Sequence, residues 1–157
     1  MAGSPLSIAH RGASGLRPEN TVVAFSKALK LGASALEMDV QLTRDEVAVV
    51  IHDDTLERTT DGEGVVGEKD FAYIAGLDAG SWFAPAYAGT PVPALDEVLD
   101  TFGAGTIINL ELKPDERVQA LLERVVASVA ERGLLDAVLF SSFDCESLRA
   151  LRAMLPA

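Results

Sequence analysis

The sequence has one cysteine, two histidines, no long apolar run and few basic residues. A single cysteine, Cys145, excludes a disulfide within the chain, and we expect its side chain to be a small buried hydrophobe. No segment reaches the ~18 consecutive apolar residues of a membrane span, and no basic stretch followed by an apolar run marks a signal peptide. These absences predict a soluble, cytoplasmic protein with no transmembrane segment.

Positive charge is scarce. The chain has 13 Lys and Arg against 24 Asp and Glu, a net charge of -11 at pH 7, which repels nucleic acid and anionic membrane surfaces. Hydrophobic residues make up 48% of the 157 residues, enough for the core of one domain. We therefore predict a single domain, residues 1–157, that binds no nucleic acid.

Apolar runs and amphipathic segments alternate along the chain. The predicted strands are residues 6–9, 35–42, 47–51, 106–112 and 137–140, and the predicted helices are residues 21–31, 93–102, 115–132 and 146–154. Asn20 is the predicted N-cap of the first helix. This alternation predicts an α/β fold with a mostly parallel sheet covered by helices.

Only residues 43–46 separate the second and third strands, too few for a crossover helix. The two strands form either a hairpin or a parallel pair joined by an extended return. A hairpin places Glu37 opposite His52, whereas a parallel pair places Asp39 and His52 together at its upper ends. Either arrangement brings the imidazole near the carboxylates.

Acidic side chains share one face of the second and fourth strands. Because side chains alternate along a strand, Glu37 and Asp39 lie on the same face, and Glu111 repeats this pattern in the fourth strand. Three carboxylates within a few ångströms repel one another unless a cation neutralises them, and oxygen ligands favour Mg²⁺ or Ca²⁺. The alternative for either strand alone is an edge strand with one solvated face.

Histidines and cations follow the same strands. His10 and His52 close the first and third apolar runs, where an imidazole can exchange a proton at neutral pH. Metal ligation or ordinary hydrogen bonding are the alternatives for both. Arg11 and Lys113 bring positive charge to an acidic cleft, which indicates a phosphate-bearing substrate, or else salt bridges to the carboxylates.

Regular periodicity fades between residues 53 and 90, where glycine, aspartate and aromatic residues take over. This composition predicts a compact insertion after the third strand, either a lid over the site or a satellite hydrophobic cluster. At the end of the fifth strand, the hydroxyls of Ser141 and Ser142 either contact a ligand or cap the last helix.

Six short segments resemble the glycerophosphodiester phosphodiesterase family, within the superfamily that includes phosphatidylinositol-specific phospholipase C. They are AHRG (9–12), PENT (18–21), LEMDV (36–40), IHDDTLERTT (51–60), LDAGSWF (77–83) and LELK (110–113). The resemblance implies a (β/α)₈ TIM barrel with a small insertion after the third strand, and it favours the parallel pairing of strands two and three. It also implies hydrolysis of glycerophosphodiesters to glycerol 3-phosphate and an alcohol.

The resemblance also implies a role for each of the polar residues singled out above. It makes His10 and His52 the catalytic acid–base pair, which we assign as base and acid in that order. The implied divalent-metal ligands are Glu37, Asp39 and Glu111, and the implied phosphate contacts are Arg11 and Lys113.

The length departs from the family pattern, because five predicted strands fall short of the eight strands and about 250 residues of a whole barrel. We favour a C-terminally incomplete, partial barrel over completion by another chain or a genuinely shortened relative. A true fragment is expected to self-associate through its open sheet edges.

Two other functions stay open. In the first, the same site acts on a phospholipid or a sugar phosphodiester. An apolar rim around Trp82 and Phe83 would favour the phospholipid. A catalytically silent binding or assembly module is the third candidate, supported only by the short length.

Overall fold

Strands and helices alternate as predicted in the computed structural model, which describes residues 5–155. The strands are β1 Ile8–Ala9, β2 Ala35–Leu42, β3 Ala48–Val50, β4 Ile107–Leu112 and β5 Val138–Ser141. The helices are α1 Val22–Lys30, α2 Phe71–Ile74, α3 Leu95–Phe102, α4 Val118–Glu131 and α5 Cys145–Met154. The α/β class is confirmed. The ends of the nine predicted elements are shifted by up to three residues, and the short helix α2 was not predicted.

Four strands form a parallel sheet in the order β1-β2-β4-β5. In the register of β2 with β4, Glu37 pairs with Asn109 and Asp39 pairs with Glu111. Within residues 5–155 the sheet is an open arc, as expected for a partial (β/α)₈ barrel. The register places the acidic residues of two neighbouring strands side by side.

The pairing of β3 corrects the expectation drawn from the resemblance, because β3 runs antiparallel to β2 as a hairpin. The connection is a tight turn in which Thr43 N–H donates to the carbonyl of Val47 at 3.0 Å and Glu46 adopts φ 59°. So short a connection cannot reverse the chain twice, as a parallel return requires. The register, with Val40 opposite Val50, also differs by one residue from the count that set Glu37 opposite His52.

The main core lies between the sheet and its helices. Leu36, Met38 and Val40 of β2 are fully buried, and Phe25 of α1 meets Phe102 of α3 edge to face at 6.0 Å between ring centroids. All eight residues of β2 are buried, so the alternative of an edge strand with a solvated face is wrong for this strand. Helices therefore cover one face of β2 while its acidic residues occupy the other.

Two local predictions are wrong. Thr21, not Asn20, is the N-cap of α1, since Thr21 Oγ1 accepts a hydrogen bond from the N–H of Ala24 at 3.2 Å. Cys145 is exposed at the start of α5 instead of buried, because it faces away from the core at that position.

Residues 53–90 build a second, smaller hydrophobic cluster beside the main core. Its buried members are Val49, Ile51, Leu56, Val66, Ile74, Ala79 and Val92. Three members lie outside this segment: Val49 in β3, Ile51 directly after β3, and Val92. Val49 and Ile51 anchor the segment to the sheet. A satellite hydrophobic cluster is therefore present, whereas the insertion and the lid role stay predictions.

The helices of residues 5–155 lack the combination of length and apolar character that crossing a membrane requires.

Candidate active site

Three carboxylates from neighbouring strands meet on the inner face of the sheet. Glu37, Asp39 and Glu111 each offer an oxygen atom, and these oxygens lie within 4.8 Å of one another. Glu37 and Asp39 are two residues apart on β2, and Glu111 lies beside Asp39 in the register of β2 with β4. Alternation along parallel strands is therefore sufficient to gather the acidic trio, as the sequence predicts.

Two members of the acidic trio, Glu37 and Asp39, are buried and lack part of their hydrogen bonds, whereas Glu111 is partly exposed. Asp39 is fully buried and Glu37 is 5% exposed. Glu37 Oε1 and Asp39 Oδ1 have no hydrogen-bond partner among the described residues, which is costly for buried carboxylates. Buried anionic oxygens that lack a hydrogen bond are what a hard divalent cation would satisfy, so the donor set fits Mg²⁺ or Ca²⁺.

Burial and repulsion also act on the protonation of Glu37. Burial, with the charges of Asp39 and Glu111, raises the pKa of Glu37 to about 7, against the lowering effect of the Arg11 N–H group. That N–H group donates to Glu37 Oε2 at 2.6 Å. Without a cation, Glu37 is therefore only partly ionised near neutral pH.

Two cations flank the acidic trio. Arg11 Nε lies 3.1 Å from Asp39 Oδ2, and Lys113 Nζ lies 3.2 Å from Asp39 Oδ1 and bonds to Glu111 Oε1. Both contacts to Asp39 are ion pairs without a hydrogen bond: within residues 5–155, Arg11 Nε donates none, and Asp39 Oδ1 accepts none. The salt-bridge alternative for Arg11 and Lys113 is thus observed, and their contact with phosphate stays a prediction.

Asn20 fixes the position of Asp39. Its Nδ2 donates to Asp39 Oδ2 at 2.8 Å, and its Oδ1 accepts the backbone N–H of Asp39 at 3.3 Å. Asn20 adopts φ 57°, a conformation that Asn tolerates better than most residues. The side chain expected to cap α1 therefore serves the acidic trio instead.

His52 follows β3 and is held through both its backbone and its ring. The Nε2 group of Gln41 donates to the carbonyls of residues 51, 52 and 53 at 2.8–3.1 Å. His52 Nδ1 lies 2.6 Å from Asp53 Oδ1. The side chain of His52 is 30% exposed, which leaves it accessible to a ligand.

His10 lies at the end of β1, immediately before Arg11, and is exposed. Its carbonyl accepts a hydrogen bond from Ser14 Oγ at 2.9 Å. Within residues 5–155 the acidic trio contains carboxylates only, so His10 and His52 are not among the candidate ligands.

The hydroxyls that close β5 serve the backbone and a neighbouring side chain. Ser142 Oγ donates to the carbonyl of Leu112 at 2.9 Å and accepts the N–H of Asp144 at 3.1 Å. Ser141 Oγ donates to Asn109 Oδ1 at 3.1 Å. The N-cap of α5 is Asp144, so neither serine caps this helix itself.

Sequence reasoning assigned no role to several polar residues near the site. Glu19 and Arg58 form ion pairs that reach from Arg11 to Asp53. They lie in PENT and in IHDDTLERTT, two of the segments that carry the family resemblance. Their membership in those segments was the only signal, because neither residue ends an apolar run.

The fold and this site together define part of an α/β barrel, of the type that carries its functional side chains toward the carboxyl ends of its strands. The model of the glycerophosphoryl diester phosphodiesterase family matches residues 10–157. The chain belongs to this family.

Curated relatives are similar along nearly the whole chain. A glycerophosphodiester phosphodiesterase of Caldanaerobacter subterraneus is 42% identical over 153 residues, which are 96% of this chain and 63% of the relative. A second one, of Bacillus subtilis, is 39% identical over 165 residues, covering 96% of this chain and 56% of the relative. The chain thus spans about three fifths of the length of these proteins.

Solved structures agree on the fold. The glycerophosphodiester phosphodiesterase of Agrobacterium tumefaciens superposes with a TM-score of 0.88 at 36% identity, over 96% of this chain and 63% of that one. A phosphodiesterase of Oleispira antarctica, solved with its product sn-glycerol-3-phosphate, gives a TM-score of 0.89 at 38% identity, over 97% and 63%.

Proposed function

We propose that this protein is a metal-dependent phosphodiesterase that hydrolyses glycerophosphodiesters to glycerol 3-phosphate and an alcohol. The acidic trio with its two flanking cations carries this proposal. The names of the relatives and the product bound to the Oleispira antarctica protein support the same reaction. Because the chain spans only part of those proteins, their activity is a proposal for this one.

Glu37, Asp39 and Glu111 would hold one divalent cation, Mg²⁺ or Ca²⁺. A bound cation would neutralise negative charge that builds on the phosphoryl oxygens. Arg11 and Lys113 would contact the same phosphate, exchanging part of their ion pairing with the acidic trio for the substrate. The ion pairs of both cations with Asp39, and of Lys113 with Glu111, support this role.

Proton transfer is assigned to the histidines. His10 takes the proton of the nucleophile, a water or the glycerol hydroxyl of the substrate, as its oxygen bonds to phosphorus. Attack by the glycerol hydroxyl would give a cyclic phosphate, which a water molecule would then open to glycerol 3-phosphate. His52 donates a proton to the alcohol oxygen as its bond to phosphorus breaks. Replacement of His52 by alanine is expected to lower activity by 10²–10⁴-fold, the usual contribution of such catalysis, and retention of more than about a tenth would refute its role.

The direct test is hydrolysis of glycerophosphocholine with Mg²⁺ or Ca²⁺, compared with a sample treated with a chelator. Glu111→Gln removes one proposed ligand with almost no change in shape and is expected to abolish the metal-dependent rate. Glu116→Gln is the matched control, since Glu116 is exposed outside the acidic trio. Equal rates with and without metal, or an active Glu111→Gln variant, would contradict the proposal.

Substrate choice is tested beside it with vesicles that contain phosphatidylinositol. Trp82 is 40% exposed and contacts Phe83 edge to face, the apolar feature that a lipid substrate would use. We expect glycerophosphocholine to be cleaved in preference. Cleavage of the lipid alone would favour a phospholipase, and cleavage of neither would favour the silent module.

We further propose that residues 53–90 are an insertion in one barrel domain, since their cluster is anchored on the hairpin beside His52. The cytoplasmic location and self-association through sheet edges stay predictions.

A further inference from the structure

Beyond the acidic trio, a line of alternating charges runs from His52 back to Asp39. His52 Nδ1 contacts Asp53, Arg58 bridges Asp53 and Glu19, and Glu19 also pairs with Arg11. The proton transfers proposed above do not involve Asp53, Arg58 or Glu19. Their arrangement nevertheless restricts which nitrogen of His52 can exchange a proton.

The carboxylate of Asp53 is gripped on two sides. Arg58 Nε lies 2.5 Å from Asp53 Oδ2 and Arg58 Nη2 lies 2.9 Å from Asp53 Oδ1, a fork that leaves the carboxylate little freedom to turn. The hydrogen bonds from Arg58, and then that from His52, hold the pKa of Asp53 well below its usual range despite partial burial. Asp53 is therefore an ionised acceptor at neutral pH.

Arg58 is itself anchored from behind. Its Nη1 and Nη2 atoms donate to Glu19 Oε2 at 3.1 Å and Glu19 Oε1 at 2.8 Å. The side chain of Glu19 is only 13% exposed and also accepts from Arg11 Nη1 at 3.0 Å. Burial raises the pKa of Glu19, but hydrogen bonds from Arg58 and Arg11 outweigh this effect and keep the pKa below its ordinary value. The fork on Asp53 is thus fixed to the loop that follows β1.

An ionised carboxylate has no proton to share, so the hydrogen in the 2.6 Å contact belongs to His52 Nδ1. In the neutral ring, Nε2 is then the nitrogen without a proton. We propose that Asp53, held by Arg58 and Glu19, is a positioning residue that fixes the Nδ1–H tautomer of His52 and so reserves Nε2 for the alcohol oxygen. In the reacting imidazolium both nitrogens carry a proton. The one on Nε2 goes to the alcohol oxygen as its bond to phosphorus breaks, which leaves His52 neutral with Nδ1–H still bonded to Asp53. This inference rests on the acid role proposed for His52.

The tautomer is measured directly by ¹⁵N NMR of the imidazole nitrogens, at a pH high enough for both rings to be neutral. The chain has only two histidines, so a His10→Ala sample assigns the signals of His52. We expect a protonated Nδ1 and an unprotonated Nε2. The opposite tautomer in the wild type would overturn the proposal and needs no further variant to fold.

Variants then test the line of charges. Asp53→Asn gives His52 a neighbour that also donates, so we expect a mixture of tautomers; Arg58→Gln should shift them in the same direction but less. Asp54→Asn is the matched control for the carboxylate, since Asp54 is the exposed neighbour of Asp53 and takes no part in the contacts of His52, Arg58 and Glu19 given above. A pure Nδ1–H tautomer in Asp53→Asn would refute the role of Asp53.

Arg44→Gln is the control for the guanidinium. Arg44 forks onto Asp70 in the same way, with its Nε 2.8 Å from Asp70 Oδ1, and this ion pair involves neither His52 nor Asp53. We expect it to leave the His52 signals unchanged. A shift as large as that of Arg58→Gln would mean that any lost surface ion pair disturbs the ring.

A kinetic comparison separates positioning from general damage. Asp53→Asn should lower kcat about 10²-fold on glycerophosphocholine, whose alcohol needs a proton to leave, and less than about 10-fold on bis(p-nitrophenyl) phosphate, whose nitrophenolate does not. Equal losses on both substrates would contradict the proposal. If the wild type cleaves neither substrate, the proposed function fails, while the NMR result still decides the tautomer.

Discussion

Replacement of Asn20 by alanine tests how much the two hydrogen bonds between Asn20 and Asp39 contribute to the free energy of unfolding. The substitution removes a buried hydrogen bond to a carboxylate, worth about 1.5–3 kcal/mol, and leaves the buried N–H of Asp39 unpaired, which costs about 1–3 kcal/mol. Alanine at φ 57° adds about 1 kcal/mol of backbone strain. Since these terms overlap, we expect the free energy of unfolding to fall by about 4 kcal/mol.

Urea unfolding followed by circular dichroism measures this change. Asn20→Gly removes the same hydrogen bonds without the strain, so it should be less destabilising than Asn20→Ala by about 1 kcal/mol. Asn109→Ala is the matched control, because Asn109 makes one neutral hydrogen bond to Ser141 and should cost about 1 kcal/mol. If Asn20→Ala costs no more than Asn109→Ala, the account of Asn20 is wrong.

Further predictions concern pH, the first loop and the cap of α1. Because the folded pKa of Glu37 is raised above its unfolded value, the metal-free protein should lose stability as pH rises from about 4.5 through about 7, and Glu37→Gln should flatten this dependence in urea unfolding. In thermal unfolding, Gly12→Ala should cost about 2 kcal/mol or more, since φ is 77° and a Cβ atom would lie 2.7 Å from backbone. Gly15→Ala, with open space around it, should cost less than about 0.5 kcal/mol. Thr21→Ala should cost about 1 kcal/mol as a lost N-cap, and an unchanged unfolding midpoint would contradict that assignment.

The strand pattern was the most predictable part of the fold. Alternation alone put Glu37 and Asp39 on one face, and the parallel register then set Glu111 beside Asp39. Both steps depend on backbone geometry that every strand shares, which is why a single sequence suffices for them.

The hairpin shows where the resemblance misled. The short polar connection 43–46 is compatible with a hairpin, whereas the resemblance favoured a parallel pair. The structure has the hairpin. The length of a connection is a local constraint on how the chain can turn, so it outweighed an analogy with a whole fold.

The side chains that support the site could not be predicted from the sequence. Asn20 has the signature of a helix cap, but Thr21 can cap equally well, and only the tertiary structure brings Asn20 to Asp39. Arg58 contacts Glu19 across 39 positions of sequence, a pairing that no local pattern indicates. The prediction of a buried Cys145 was wrong. It treated cysteine as a small hydrophobe and did not consider which face of α5 the residue occupies.

The central claim is that the acidic trio holds a divalent cation, and calorimetric titration of the metal-free protein with Mg²⁺ or Ca²⁺ tests it most directly. We predict one site per chain, lost in Glu111→Gln and retained in Glu116→Gln. Binding that survives Glu111→Gln unchanged, or no binding by the wild type, would contradict the claim.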